Sequence, residues 1–345
     1  DLRLDELAID YGGPLVTVSG RFKGDWNQPD AVAEISVTNL PVSAVPRFWR
    51  PDIAPGGRRW ALERIHDGLI PKLEMKIDLR PEDWDKSLLD RTAVVGEFSF
   101  EDGVVEYLTG LPLAEVARAR GRFDAVDLHL EIQSARVGDV AVGAGTIDLT
   151  ELDRADEIGR IAVSISGPLE ESLRIMALPR LGFTQQLAID PDHVSGQVVA
   201  EMTISLPLLE DISLEQMEIG ATAELDNVTL AAAMLPPLLD GIEATDGKAS
   251  MVLDKQGFDL SGRLSLGRVP VDVAWREHFD PGEGAARREL WVSGQLFDRD
   301  LARLGFGDDI VSGALAVSFE FLDTGGPNAS GVVSVDGTAA SVGLP

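Results

Sequence analysis

"KLEMKIDLR", residues Lys72 to Arg80, alternates without a break. Leu73, Met75, Ile77 and Leu79 fall on one side. Lys72, Glu74, Lys76, Asp78 and Arg80 fall on the other. A period of two sustained over such a stretch is a strand with one apolar and one wet face.

The device recurs along the chain. "AVDLHLEIQ" aligns Val126, Leu128, Leu130 and Ile132, and "RIAVSIS" aligns Ile161, Val163 and Ile165. "VVAEMTISL" aligns Val198, Ala200, Met202, Ile204 and Leu206. Phe258, Leu260, Leu264 and Leu266 alternate later, followed by "ELWVSGQL" and "ALAVSFEF". Asp-Gly, Asp-Asn and Gly-Gly pairs punctuate the runs and read as turns. The expected fold is mainly β, an antiparallel sheet wet on one side, with a few short helices. The apolar faces either close on each other as a sandwich core or line an open, curved sheet.

Helical signals are short. One starts near Pro55 in "GGRRWALERIHDG" and stops at Gly68. A second covers Leu113–Ala119, and weaker ones lie at Leu235–Leu239 and Asp298–Leu304. We read the chain as one continuous β segment, residues 1–345, with a helical insertion at about 45–68. A weak repeat relates residues about 96–133 to about 222–260, with Gly121-Arg122 matching Gly247-Lys248 at a spacing of 126 residues. Two copies of a unit that cannot close its own core point to a stacked architecture.

Charge limits the partners. The chain has 30 basic and 58 acidic residues, a formal net charge of −28. That field repels nucleic acid and anionic headgroups, so a nucleic-acid role is excluded. With no cysteine, disulfides, thiolate metal sites and a cysteine nucleophile are excluded too. The sequence begins Asp1-Leu2-Arg3 and carries no apolar run long enough to span a bilayer. We expect it to be a piece of a longer protein, with any membrane anchor outside it.

Catalytic signals are thin, and no enzyme activity, metal or cofactor is expected. His66, His129, His193 and His278 stand in no metal-ligand or nucleophile motif. His129 alternates with Leu128 and Leu130, which puts it on a wet face. Asp190, Asp192 and His193 read as a proline turn whose carboxylates bond nearby amides. Glu277, His278, Asp280 and Glu283 read as a polar hairpin loop.

One stretch departs from all this: "VPRFWRPDIAPGGRRWALERIHDG", Val45 to Gly68, packs two tryptophans and five arginines into an acidic chain. With its flanks it resembles the AsmA-like family of bacterial envelope proteins, the YhdP-type branch. The resemblance rests on Leu40-Pro41, Pro46-Arg47-Phe48-Trp49, Arg58-Arg59-Trp60-Ala61-Leu62, Gly68 and a strand from Lys72. It covers about Ala31 to Leu296, and it departs at Arg50, where the branch goes from Trp straight to Pro. The resemblance implies an elongated, U-shaped β-groove with an apolar interior. It also implies a periplasmic location with an inner-membrane tether, and phospholipid movement toward the outer membrane. On that reading the aligned residues of the four strands above line the groove and meet acyl chains. Trp49, Arg58, Arg59 and Trp60 lie at a rim or bend, either as a plug, lip or partner dock or as a cap with buried tryptophans and paired arginines. A non-enzymatic periplasmic scaffold that binds an envelope protein partner is the alternative.

Overall fold

The structure, a computed structural model, describes residues 1–49, 55–84, 89–152, 157–178, 189–208, 216–234, 241–282, 284–297, 300, 311–324 and 329–342. Its strands form an open antiparallel sheet of 18 strands that does not close into a barrel. Neighbours in sequence are neighbours in the sheet, because each apolar face extends the last one. The chain divides into two compact units. The first is Asp1–Ser164 with Thr203–Glu218, the second Ile165–Met202 with Ile219–Pro345.

The first unit is built on a meander: β1 (Leu2–Asp10), β2 (Leu15–Lys23), β3 (Asp30–Pro41), β4 (Ile65–Leu79), β5 (Val94–Val105), β6 (Ala114–Asp124), β7 (Leu128–Val137) and β8 (Val140–Thr150). Each pairs antiparallel with the next. The register carries one parity across all eight. A row runs from Leu7 through Val18, Ile35, Met75, Gly96 and Phe123 to Leu128 and Leu149. One residue along, the row Thr17, Ser36, Glu74, Glu97, Arg122, His129 and Asp148 is polar throughout. A one-residue slip anywhere would exchange the two faces, so burial fixes the register.

In the second unit β11 (Glu218–Leu230), β12 (Ala244–Leu253), β13 (Gly257–Leu266), β14 (Val269–His278), β15 (Arg288–Phe297), β16 (Val311–Asp323) and β17 (Ser330–Asp336) repeat the arrangement. β18 (Ala340–Val342) joins β16 beside β17. Here Ala223, Met251, Leu260, Trp275, Leu290 and Phe321 form the row. β9 (Ile158–Pro168) and β10 (Val194–Pro207) pair with each other and contribute to both units.

Among the described residues the helices with defined bounds are short: α1 (Val45–Phe48), α2 (Pro55–Arg64) and α3 (Leu169–Met176). Helix α2 stops at Arg64 rather than at Gly68. There the Arg64 carbonyl accepts from the Glu106 amide at 2.8 Å and Ile65 pairs with Val105, drawing the chain into β4 seven residues before Lys72. The helix expected at Leu113–Ala119 is instead strand β6. Pairing on both sides overrides its helical composition, and Ala119, Gly121 and Phe123 supply the apolar parity. Helix α3 carried no sequence signal in our reading. Leu235–Leu239 lies outside the described residues, as does Asp298–Leu304 apart from Asp300.

Two expected turns are bulges. β5 runs through Asp102-Gly103 and β11 through Asp226-Asn227. Asp102 has φ 51° and Asn227 φ 52°, and the register shifts beside each. Asp and Asn tolerate the left-handed conformation, so the extra residue is absorbed inside the strand. The adjacent strands answer with glycines, Gly68 at φ 143° in β4 and Gly196 at φ 150° in β10. Upstream, Pro41 and Pro168 each end a strand and open a helical turn whose first residue, Val42 or Leu169, is buried. The repeat read from sequence therefore reaches back to these prolines. Its logic is strand, proline, helix, glycine-kinked strand, bulged strand.

Each unit has its core at this motif. Val42, Phe100 and Ala119 gather Ile65, Ile70, Phe98, Val105 and Val116 in the first. Leu169, Val194, Val198, Ala200 and Ala223 gather Ile165, Leu173, Leu225 and Met251 in the second.

Candidate functional site: the apolar sheet faces

Away from those clusters the apolar faces are only half-buried. Leu73, Met75, Ile77 and Leu79 of β4 are all in that state, as are Leu128, Leu130 and Ile132 of β7. The register puts them on one face, Leu73 in the row of Leu130 and Met75 in the row of Leu128. Val126 does not belong with them. It lies in the turn before β7, 7 % exposed, held by the Asp124 carboxylate on its amide and by the Leu152 amide on its carbonyl. The Asx-type turn interrupts the alternation, a break that apolar spacing alone hides.

Ile161 and Val163 of β9 and Ile204 and Leu206 of β10 belong to the first unit. Val163 is buried where it faces Gly145 of β8. Ile165 and Val198 belong to the second, within the cluster under α3. Met202 is half-buried and Thr203, next in line, is exposed.

Glycine and phenylalanine interlock on the first unit's face. A β-carbon at Gly121 would stand 2.3 Å from the Phe98 ring, and one at Gly96 would stand 2.5 Å from the Phe123 ring. The two rings lie 6.4 Å apart. Each aromatic fills the space its cross-strand glycine leaves, which helps pin the register of β5 and β6. Our sequence reading missed Phe98 and Phe123. Their parity with Phe100 and Gly121 was the available signal.

The second unit's face contains a charge that the sequence reading put in a loop. Glu277 is in β14 and its side chain is wholly buried. Arg288 of β15 grips it with two hydrogen bonds, 2.7 and 3.0 Å, and the Trp275 indole donates a third at 3.0 Å. The Arg288 guanidinium lies 5.5 Å from the Trp275 ring centroid. The alternation Val269, Val271, Val273, Trp275, Glu277 was the signal that Glu277 points inward. A carboxylate so placed persists because these three hydrogen bonds and the Arg288 charge offset its desolvation.

The helical element is built around Trp49. Its carbonyl accepts from Arg58 Nε at 2.8 Å, and its ring lies against Gly57. Arg64 pairs with Glu106 at 2.6 Å. Trp60 is 47 % exposed and Arg59 is exposed, against the expectation of a cap with buried tryptophans. Ala61 and Leu62 of α2 are half-buried, and Trp60, the residue before them, is exposed.

The polar faces carry cross-strand ion pairs such as Arg263–Asp272 and Lys76–Glu34. His129 lies there, bonded to Asp148. Asp190 accepts from the Asp192 amide at 3.0 Å and meets His193 at 2.9 Å, while Asp192 meets Arg174. The Asp192 amide and then His193 hold the Asp190 carboxyl below its ordinary range. Among the described residues no group of three or more His, Asp or Glu is placed to hold a metal ion.

No family model, curated protein or solved structure matches this chain. Function is therefore read from the faces themselves. Among the described residues they offer in-register apolar rows, with the Glu277–Arg288 pair at one strand end.

Proposed function

We propose that this chain is a periplasmic, non-enzymatic segment of an envelope protein of the AsmA-like, YhdP-type kind. It shields phospholipid acyl chains on its apolar faces during transport between inner and outer membranes, and a segment outside the chain tethers it to the inner membrane. The observation that carries the reading is the half-buried state of in-register apolar rows such as Leu73 and Leu130. Rows of this length in a closed sandwich would be buried by a second layer. An acyl chain in water costs about 0.8 kcal/mol per methylene, on the order of 12 kcal/mol for a long tail. Continuous apolar cover removes that cost, and the headgroup can stay in water. Neither chemistry nor a cofactor is needed. Native mass spectrometry after gentle purification tests the reading: phospholipid bound in defined stoichiometry is expected, and a lipid-free chain that takes up none on incubation with phospholipid rejects it.

A second reading, a scaffold for an envelope protein partner, is favoured by the edge strand β17. Val332, Val333 and Val335 are each more than half exposed, and no charge precedes Asp336. By contrast β1, in the first unit, is blunted by Arg3, Asp5, Glu6 and a bulge between Leu4 and Leu7. An unblunted edge suits addition of a partner's strand.

A further inference from the structure

We infer that helix α3 is a displaceable cover on the second unit's apolar face, lifted aside when an acyl chain takes its place. The inference rests on the tail-shielding reading above and adds how access to that face is controlled. Leu169 and Leu173 of α3, one helical turn apart, join Val198 and Ala200 of β10 and Ala223 of β11 in one apolar cluster. The face continues beyond that cluster. Ala223 is buried, and Met251, Leu260 and Trp275, which follow it in the row, are half-buried. Along β10, Val198 and Ala200 are buried and Met202 is half-buried. Two leucines of α3 thus cover one stretch of a face that is otherwise only partly covered.

The attachment of α3 is slight. Eight residues make little helix by themselves, and Pro168 supplies no side-chain cap. Ser172 Oγ donates to the Pro168 carbonyl at 3.2 Å, and Arg174 meets Glu171 at 3.4 Å, both local bonds. Among the described residues only Arg174, donating to Asp192 at 3.0 Å, reaches another element from an α3 side chain, and both partners are exposed. An ion pair of that kind adds little. Glu170 opposes the seated position. Its Oε2 is out of water without a hydrogen-bond partner, whereas the buried Glu277 has three bonds. Lifting α3 returns that oxygen to water, and an acyl chain on the face replaces the burial that Leu169 and Leu173 give up. The balance between seated and lifted states is then set by what lies on the face.

The chain has no cysteine, so Arg174→Cys with Asp192→Cys can be joined by a short bis-maleimide without other labelling. Uptake of lysophosphatidylcholine below its micellar concentration is read by native mass spectrometry. The joined chain should take up about fivefold less than the same variant capped singly with N-ethylmaleimide. Glu170→Met should lower uptake about threefold, and Arg174→Gln should raise it by about as much. In the lipid-free chain, hydrogen exchange at the Leu173–Met176 amides should outpace that of β10 and β11, slow in Glu170→Met and quicken in Arg174→Gln. Circular dichroism matching the parent shows that the variants fold. Equal uptake by joined and capped chains overturns the cover and leaves tail shielding standing. No uptake by the parent rejects tail shielding itself, and the cover with it. Exchange in α3 no faster than in β10 and β11 also overturns the inference, because the helix then leaves only when the chain unfolds.

Discussion

Phe98 stands over Gly121: a β-carbon placed on the glycine would lie 2.3 Å from two atoms of the ring. The two residues face each other across β5 and β6, and Phe123 over Gly96 reverses the pair one step along. Gly121→Ala should therefore destabilise the chain by about 1–3 kcal/mol, as overpacking does. Phe98→Leu in the same background should recover part of the loss, because the smaller side chain frees the space. Urea midpoints of the two variants check this. A neutral Gly121→Ala would mean that the interlock does not hold the face together.

The kinked glycines give a paired expectation. Gly68 and Gly196 both sit at positive φ inside strands. Alanine at either should cost about 1–3 kcal/mol of strain. Gly68→Ala should be the worse, because its β-carbon also meets the Phe100 ring at 2.6 Å, while that of Gly196 meets backbone at 3.1 Å. Thermal denaturation of both variants reads the order directly.

Glu277 tests the buried ion pair. Glu277→Ala strands Arg288 on an apolar face and should cost about 3–5 kcal/mol. Replacing both, Glu277→Leu with Arg288→Leu, should cost much less, since only Arg287, 3.9 Å from Glu277 and partly exposed, then loses its partner. A double-mutant cycle in denaturant measures the coupling. Additive effects would show that the pair contributes nothing as a pair.

Tail shielding predicts a contrast between neighbours. Met202 is half-buried and Thr203 is exposed on the other side of β10. Met202→Asp puts a carboxylate among apolar residues, where desolvation opposes it once a tail arrives. It should lose co-purifying lipid, while Thr203→Asp keeps it. Equal lipid content in two folded variants would remove tail shielding and leave the scaffold.

The alternation at Lys72–Arg80 determined that β4 is a strand and which of its sides is apolar, because side-chain parity is a local property of extended backbone. The same reasoning made an antiparallel, one-side-wet sheet legible from sequence, and Gly121 with Gly247 hinted at the repeat. Local composition misled at four places. Leu113–Ala119 has helical composition and became β6, since hydrogen bonds to β5 and β7 outweigh helix propensity. Asp102 and Asn227 carry turn chemistry, yet the neighbouring strands continue past them and convert the turns to bulges. Glu277 has a loop-like polar neighbourhood, but Arg288, eleven residues on, makes its burial tolerable. In each case the deciding partner is distant in sequence. Which residues alternate is written in the chain; which strand lies beside which, and so which glycine receives which ring and which carboxylate finds its arginine, is decided only when pairing brings those partners within contact.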